Sequence, residues 1–257
     1  MDKELLLDTF TREQRIHIEY SNFKREELDG IVRHVSQTEE QGFVMYSRLT
    51  EENADDEIKK QVEYFRKIGQ SFEWKMYDYD QPHDLKARLE AHGFDIGEAE
   101  ALMVIDMTDS HPILRAAIPG DIRQIASDEE IDQVMAMEDK VWGTSHTELG
   151  ERLKRDLAQD PENLFIFAAY EGDKVVSAAW MYLHEGTSFG SLWGGSTVAE
   201  YRQKGYYQGL ITARAKVAID RGYRFLMVDA SPMSRPILEK RGFQCLAYSY
   251  PCVYSIG

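Results

Sequence analysis

A short basic turn, Arg202-Gln203-Lys204-Gly205, lies between an apolar stretch and a long helical pattern. The stretch before it, residues 189–198, has the composition of a β-strand, and apolar side chains recur at helical spacing after it. The first turn of a helix leaves backbone N–H groups without partners and carries the positive end of the helix dipole. Arg202 and Lys204 add positive charge, and Gly205 lets a ligand approach the backbone. These residues predict a site for an anion such as a diphosphate.

Physical chemistry alone leaves a second interpretation of this turn open, namely an ordinary helix start with two surface cations. The segment contains neither the P-loop pattern G-x-x-x-x-G-K-[ST] nor the dinucleotide fingerprint G-x-G-x-x-G. Those two kinds of nucleotide site are therefore excluded here.

The turn resembles the acetyl-coenzyme A loop of the GCN5-related N-acetyltransferases, the GNAT superfamily. The family motif R-x-x-G-x-[GA] follows a strand, and the residues from Arg202 to Tyr207 are similar to it. Ala199-Glu200-Tyr201 stands where the family often has Pro-Glu-Tyr. Downstream, the strand FLMVDA (225–230) and the helix ending in Gly242-Phe243 resemble the strand and helix that follow in the family. The resemblance implies acetyl-CoA as cosubstrate and no metal.

The resemblance also implies which residues contact acetyl-CoA. Backbone amides of residues 203–207 would hold the pyrophosphate, and backbone groups near Gly195 and Thr197 would pair with the pantetheine arm. Ser231 stands where the family often has an asparagine that touches this arm, and Ser234 lies one turn on; capping of the next helix is the alternative for both. The implied set of cofactor-binding residues is Gly195, Thr197, Val198, Arg202, Gln203, Lys204, Gly205, Tyr206, Tyr207, Ser231 and Ser234.

Two positions depart from the family pattern. Tyr207 occupies the last loop position, which is usually Gly or Ala, and it would narrow the pyrophosphate site. Leu238 stands where the family often has a tyrosine that acts as general acid. Leucine cannot protonate a thiolate, so this role is vacant or filled from elsewhere. The tyrosines of the last strand are candidates, with aromatic packing as the alternative, and they are Tyr248, Tyr250 and Tyr254.

Acyl transfer from a thioester to an amine needs a base, a donor to the carbonyl and an acid. Asp229, at the end of its strand, and Glu185, in the turn before 189–198, are the candidate bases. Solvated or capping carboxylates and deprotonation through water are the alternatives. A backbone N–H around Thr197 would serve as the donor, and Trp193 is a candidate for the acceptor pocket, with core packing as its alternative.

The elements that position these residues alternate between helices and strands. The spacing of Ile58, Val62, Phe65 and Ile68 predicts a helix that Gly69 ends, whereas Leu28, Ile31, Val32 and Val35 favour another helix. Further patterns predict helices at about 128–141 and 147–158, and strands at 42–49, 100–107, 164–172, 174–184, 189–198 and 225–230.

The two halves of the chain follow the same order of helix, strand, helix, Gly-Phe and strand. Leu89 to Phe94 matches Leu238 to Phe243, with the two Gly-Phe pairs 242 − 93 = 149 residues apart. This order predicts a duplicated α/β fold with a mixed sheet, GNAT-like by resemblance, with a degenerate domain at 1–111 and an acetyltransferase domain at 112–257. A segment with two prolines, 110–121, is the predicted linker.

The N-terminal counterpart of the basic turn reads RLTEENADDEIKK (48–60), which has no glycine before its helix and is rich in acids. Such a stretch would repel a pyrophosphate. We therefore expect one cofactor site per chain, in the C-terminal half.

The overall charge is strongly acidic, with 45 Asp and Glu against 30 Lys and Arg, or −15 in total. An acidic surface disfavours nucleic acid as a partner and weakly favours a cationic acceptor. The expected partner is a small-molecule amine, and a homodimer is left open. A non-catalytic acyl-CoA sensor or interaction module, motivated by Leu238, and a structural domain that binds nothing are the alternative functions.

Cysteine use and hydropathy indicate a cytoplasmic protein. The two cysteines, Cys245 and Cys252, lie close together near the C-terminus and form no disulfide framework. No signal peptide or membrane span is predicted, because no stretch approaches about 18 apolar residues. The seven histidines show none of the spacings of a metal site.

Overall fold

The computed structural model describes residues 2–38, 40–107 and 111–256. A π-helical segment, Thr11–Ile16, and a 3₁₀ turn, Ala199–Tyr201, supplement the α-helices. Within the described residues the α-helices are α1 (Lys3–Phe10), α2 (Ala54–Ile68), α3 (Leu85–Ala91), α4 (Pro112–Arg115), α5 (Asp128–Trp142), α6 (Thr147–Gln159), α7 (Tyr206–Asp220) and α8 (Arg235–Glu239). In the same part of the chain, none of these helices is both long enough and apolar enough to cross a bilayer.

Strands alternate with these helices along the whole chain. They are β1 (Phe23–Leu28), β2 (Ile31–Ser36), β3 (Gly42–Ser47), β4 (Phe72–Tyr77), β5 (Asp95–Ile96), β6 (Glu100–Asp106), β7 (Asp121–Ile125), β8 (Leu164–Glu171), β9 (Lys174–Leu183), β10 (Phe189–Thr197), β11 (Phe225–Ala230) and β12 (Gln244–Tyr254). The fold is thus α/β, and it divides into two compact units, Met1–Val104 with Asp229–Gly257, and Ile105–Val228.

The first unit is built on a mixed sheet with the strand order β1-β2-β3-β4-β12-β6, and β5 pairs with β12. Strands β3 and β4 run parallel because α2 crosses over between them, whereas the other pairs with resolved registers are antiparallel. The C-terminal strand β12 lies between β4 and β6. The last residues of the chain therefore complete the sheet of the first unit.

The amphipathic helix α2 covers this sheet. Its buried face includes Ile58, Val62 and Phe65, as its spacing predicts, and Gly69 ends it in the left-handed conformation. The Phe65 ring stacks on Phe72 of β4 with the ring centroids 4.2 Å apart. Full burial of an aromatic side chain of this size stabilises the fold by about 1.5–3 kcal/mol.

The segment around Leu28 is a β-hairpin, so the predicted helix there is wrong. Strands β1 and β2 pair antiparallel, and Leu28 lies opposite Ile31. The two residues between them are Asp29 and Gly30, and Gly30 has φ +80°. Asp-Gly is a strong signal for a two-residue hairpin turn, and it prevails over the helix-like spacing of four apolar residues.

The second unit contains the strand order β11-β10-β9-β8-β7. Strands β10 and β11 run parallel and are joined by α7, whereas β7, β8, β9 and β10 form antiparallel pairs in succession. Strands β8 and β9 are the predicted hairpin. Two antiparallel hairpins followed by a parallel crossover thus place the start of α7 at the end of β10.

Helices cover both faces of this sheet. On one face, helix α5 buries Ile131 and Val134 against Ala178 and Trp180 of β9. Helix α5 begins at a capping box, because Ser127 and Glu130 each accept a hydrogen bond from the backbone N–H of the other. The other face is covered by α7, whose Tyr206 packs against Ala169 and Val176.

Eight predicted elements are confirmed to within two residues at each end, namely two helices (128–141, 147–158) and six strands (42–49, 100–107, 164–172, 174–184, 189–198, 225–230). The predicted helix before Phe243 is confirmed only as the short α8. Of the predicted linker, Ser110 lies outside the described residues, and Pro112–Arg115 forms α4. The duplication and the domain boundary at 111/112 stay predictions, because the units are defined by packing alone.

Candidate functional site

Strand β10 carries a β-bulge directly before the basic turn. Gly194 pairs with Ala179 and Ser196 pairs with Ala178, so Gly195 is an extra residue without a partner on β9. Gly195 has φ +95°, and a Cβ on it would lie only 2.6 Å from the Tyr207 ring. The bulge therefore requires glycine, and β10 resumes its pairing with β9 at Ser196 and Thr197 after it.

The turn after the bulge presents free backbone donors. Gln203 has φ +63° and is the one residue other than glycine with positive φ in the part of the chain that the structure describes. Gly205 has φ +89° and precedes α7. Among the described residues, none accepts a hydrogen bond from the backbone N–H groups of residues 203–208. Six successive free donors at a helix start are an arrangement that suits a phosphate group.

Side chains around the turn hold it in place. Arg202 donates from Nε to the carbonyl oxygen of Thr197 at 3.1 Å, which ties the turn to the end of β10. The Lys204 ammonium lies 4.6 Å from the centre of the Tyr201 ring. Both cations are exposed, so their charge lies beside the free donors rather than inside the fold.

The first two residues of α7 are anchored to the sheet. Tyr206 is buried, and its hydroxyl donates to the carboxylate of Glu171. Tyr207 lies against Gly195, and burial raises the pKa of its hydroxyl. The Tyr207 ring thus fills the space beside the bulge, and the narrowing of a pyrophosphate site by this residue stays a prediction.

A buried arginine donates hydrogen bonds to the backbone next to the bulge. Arg214, two turns further along α7, donates to the carbonyl oxygens of Trp180 at 2.9 Å and Trp193 at 3.2 Å. Burial lowers the pKa of its guanidinium to about 10. Sequence analysis missed Arg214, although a charged residue among the apolar positions of a helix is a visible signal.

The two candidate bases have different surroundings. In the first unit, the Asp229 carboxylate lies 3.0 Å from Lys75 Nζ and accepts a hydrogen bond from Ser249 Oγ at 3.2 Å. Glu185 is exposed in the turn between β9 and β10. From the strand rise, about 20 Å separates that turn from the bulge at Gly195. Glu185 and the bulge therefore lie at opposite ends of β10.

Ser231 and Ser234 lie in the first unit, where they bond to one another. The Ser234 backbone N–H donates to Ser231 Oγ at 3.3 Å, and the two hydroxyls are 3.2 Å apart. This turn leads into α8. Their predicted contact with acetyl-CoA stays a prediction.

The aromatic residues of β12 are engaged in packing. Tyr254 is buried against Phe72 and Phe94, and Tyr248 accepts a hydrogen bond from Arg235. The Lys86 ammonium lies 4.4 Å from the centre of the Tyr250 ring. Leu238, at the position of the family's general acid, is 1% exposed and belongs to the core.

Both cysteines are free thiols. Burial raises the pKa of Cys252 to about 12, and Cys245 is half-buried with its Sγ 3.6 Å from the Ala247 oxygen. The described residues contain no group of three or more His, Cys, Asp or Glu placed to hold a metal ion.

Two polar clusters along β10 escaped sequence analysis. In one, His184 Nε2 lies 2.8 Å from Ser191 Oγ, which accepts a hydrogen bond from the indole of Trp193. Burial lowers the pKa of His184 to about 4, so the ring is neutral at pH 7. A neutral ring can accept a hydrogen bond from the Ser191 hydroxyl. In the other, Trp142 donates to Glu138 and Ser196. Glu138 follows the apolar spacing of α5, and an acid at such a position is the signal that could have found it.

A family model and several solved structures are similar to this chain. Residues 131–243 match the family model of the acetyltransferase (GNAT) family. A GCN5-related N-acetyltransferase from Kribbella flavida is similar over 99% of this chain and 95% of its own, with a TM-score of 0.64 and 12% identity. The fold is that of the GNAT acyltransferases. The expected fold class is thereby confirmed.

Two further structures are similar over most of their length. A functionally unknown conserved protein from Staphylococcus epidermidis ATCC 12228 has a TM-score of 0.63 and 14% identity, covering 91% of this chain and 94% of that one. A tandem GNAT protein from the clavulanic acid biosynthesis pathway has a TM-score of 0.60 and 13% identity, covering 94% and 86%. No curated protein sequence matches the chain. These likenesses show the fold, and the family match supports the GNAT superfamily for residues 131–243.

Proposed function

We propose that the chain is an N-acetyltransferase that moves an acetyl group from acetyl-CoA to a small-molecule amine. One observation carries the proposal, namely the six unpartnered backbone donors of residues 203–208 beside two exposed cations. Backbone donors at a helix start suit a diphosphate, which is the charged part of coenzyme A nearest to its pantetheine arm. The GNAT fold is the reason for choosing acetyl-CoA among the ligands that carry a diphosphate.

The chain's own residues would divide the work along β10. The basic turn would hold the pyrophosphate. Among the described residues β10 pairs with β11 only at 189–191, so its other edge would leave backbone groups near Thr197 free to pair with the pantetheine arm. A thioester supplies an activated acetyl carbonyl, and a backbone N–H near the bulge would polarise it. The amine would then attack that carbon, and the thiolate would leave.

The acceptor class follows from charge and from exposed aromatic surface. Trp142 and Trp193 are 59% and 47% exposed, which is unusual for tryptophan, and both belong to the second unit. Aromatic faces and a net charge of −15 favour a cationic amine. With two free cysteines, we also propose that the protein acts in the cytoplasm.

A non-catalytic acyl-CoA sensor is the second candidate, and Leu238 favours it. The side chain is buried and apolar, so this position offers no proton to a leaving thiolate. Binding of coenzyme A without turnover across a broad amine panel would support the sensor.

Calorimetry and thermal unfolding with coenzyme A test the proposal. We expect one site per chain, and at 100 times the dissociation constant a stabilisation of about 2.7 kcal/mol. Steady-state assays with acetyl-CoA and an amine panel then test turnover. Two sites per chain would contradict the assignment to the C-terminal half, and no binding would refute the proposed function altogether.

A further inference from the structure

One face of the sheet in the first unit carries polar side chains from three neighbouring strands. Glu73 and Lys75 alternate with buried residues along β4, and Tyr77 follows on the same face. Ser249 of β12 lies opposite Tyr77, and Glu100 of β6 lies opposite Ser249. Residues directly opposite one another share a face, so these five side chains lie on one surface.

Asp229 of β11 reaches the same surface. Its carboxylate lies 3.0 Å from Lys75 Nζ and accepts a hydrogen bond from Ser249 Oγ at 3.2 Å. Glu73 Oε1 lies 4.0 Å from the same ammonium. The charged face is the name used below for Glu73, Lys75, Tyr77, Glu100, Asp229 and Ser249.

The charged face has more negative than positive charge. Three carboxylates and the one ammonium of Lys75 leave two negative charges unbalanced. Arg15 lies 4.4 Å from the centre of the Tyr77 ring, but it already donates two hydrogen bonds to Asp80. Its charge is therefore balanced inside the fold and does not offset the excess.

Two of the three carboxylates lack partners. Glu73 Oε1 is buried without a hydrogen bond, and Glu100 makes no hydrogen bond or ion pair among the described residues. Burial raises the pKa of both Glu73 and Glu100, and the nearby charge of Asp229 raises each further. Half-buried carboxylates without partners are costly to the fold, so stability alone does not explain them.

Tyr77 is an independent sign that a ligand belongs here. It is 3% exposed, yet its hydroxyl makes no hydrogen bond among the described residues. Buried hydroxyl groups normally have a partner. Burial raises the pKa of Tyr77 and the Asp229 carboxylate raises it further, which agrees with a hydroxyl directed towards the charged face.

The charged face is open to solvent at one side. The side chains of Glu73, Lys75 and Asp229 are 12%, 20% and 24% exposed. A small ligand can therefore reach the carboxylates from outside.

We propose that the charged face binds an organic cation that carries two ammonium groups. Two such groups balance the two excess charges, and their N–H donors satisfy the Tyr77 hydroxyl and the free carboxylate oxygens. One metal ion fits less well, because the described residues contain no group of three or more His, Cys, Asp or Glu placed to hold it. The site lies within the first unit and goes beyond the proposed function, since it needs neither acetyl-CoA nor turnover.

Calorimetry on the full chain, without coenzyme A, tests the site with 1,4-diaminobutane as the probe. Glu73→Gln and Glu100→Gln each keep the shape of the side chain and remove one negative charge, and Tyr77→Phe removes the hydroxyl. The matched control is Glu98→Gln, because Glu98 is exposed and lies only two residues before Glu100. 1-Butylamine and magnesium chloride are the comparison ligands.

We expect one diamine per chain and an affinity about tenfold lower in Glu73→Gln and in Glu100→Gln, because each loses a hydrogen bond to a charged group. Tyr77→Phe should weaken binding by about threefold or more, and Glu98→Gln should match the wild type. 1-Butylamine should bind at least about tenfold more weakly, since it balances only one charge.

A second readout needs no variant and so does not depend on how the variants fold. Adding 1,4-diaminobutane to the wild type should shift the backbone amide resonances of Tyr77 and Ser249 and leave those of α6 unchanged. Shifts confined to Trp142 and Trp193 would place the diamine in the second unit and overturn the site.

The absence of diamine binding would also overturn the site. An equal loss in Glu98→Gln and Glu100→Gln would do the same, because binding would then reflect only the net charge of −15. Equal affinity for 1-butylamine, or tighter binding of magnesium, would overturn the ligand class. None of these results involves coenzyme A, so the proposed function stands or falls by its own measurements.

Discussion

Two strand-to-helix turns occupy corresponding places in the two halves of the chain, and they differ in what they offer a ligand. The first joins β3 to α2, and there the Thr50 N–H bonds to Asn53 Oδ1 at 2.8 Å and the Ala54 N–H to the Thr50 oxygen at 3.1 Å. The second joins β10 to α7, and the N–H groups of residues 203–208 have no acceptor among the described residues. The first turn closes on itself, whereas the second presents its donors.

The charges of the two turns differ in the same direction. The helix start of α2 carries Asp55, whose carboxylate lies 2.5 Å from Arg88 and 2.9 Å from His92. An anion belonging to the protein thus already occupies the positive end of this helix. The start of α7 has no acid in its first turn and two cations before it. The same order of strand, turn and helix therefore leaves free donors in one half and a self-neutralised turn in the other.

The largest effect should come from a β-branched residue at Gly205. We expect Gly205→Val to weaken coenzyme A binding by about 100-fold, because valine strongly disfavours φ +89° and its side chain obstructs the donors. Gly222→Val is the matched control, since Gly222 has φ +84° but follows the end of α7. Calorimetry measures both affinities, and equal losses in the two variants would show that strain alone explains the effect.

A smaller effect should follow from removing the two cations. Arg202→Gln combined with Lys204→Gln should weaken coenzyme A binding by about tenfold, and less so at high salt, because exposed charges are screened. The control is Lys59→Gln combined with Lys60→Gln on α2, which should leave affinity unchanged. An unaltered affinity in the first pair would remove the anion site from the basic turn.

The smallest effect concerns the self-neutralised turn. Asp55→Asn should lower the melting temperature of the protein by a few degrees at pH 7 and leave coenzyme A affinity unchanged. Hydrogen bonds from His92, with the charge of Arg88, lower the pKa of Asp55 below its ordinary 3.8. Asp55 therefore stabilises the folded protein fully above pH 3.8, and this stabilisation is lost as the pH falls through the lowered pKa.

Melting curves at pH 7 and at a series of pH values below 3.8 measure this dependence. The wild type should lose its advantage over Asp55→Asn as the acid titrates Asp55. A difference that grows in acid would contradict the role assigned to the Arg88, His92 and Asp55 cluster.

The sequence predicted those features that depend on contacts close along the chain. The strand, basic turn and helix at 189–220 have local signals, since a glycine and a change of hydrophobic period mark the turn. The extent of α5 follows from the same kind of pattern. The hairpin at Leu28 was missed because Leu28, before Asp29-Gly30, and three apolar residues after it imitate helical spacing.

The side chains of the candidate site are brought together by contacts between residues that are distant along the chain. Glu138 and Ser196 are 58 residues apart, and only the packing of α5 on β10 brings them to one indole. The pairing of Asp229 with Lys75 joins residues still further apart. Spacing in the sequence carries no information on such pairs. The candidate bases Asp229 and Glu185 were therefore chosen only because they lie at the end of a strand and in a turn.

The placement of β12 between β4 and β6 has a consequence for how the protein is made. Strands β1 to β4 leave the ribosome long before β12, so their sheet stays incomplete until residues 244–254 have been synthesised. A fragment ending near residue 111 would leave a groove between two strand edges, and we expect it to aggregate unless a peptide with the sequence of β12 is supplied.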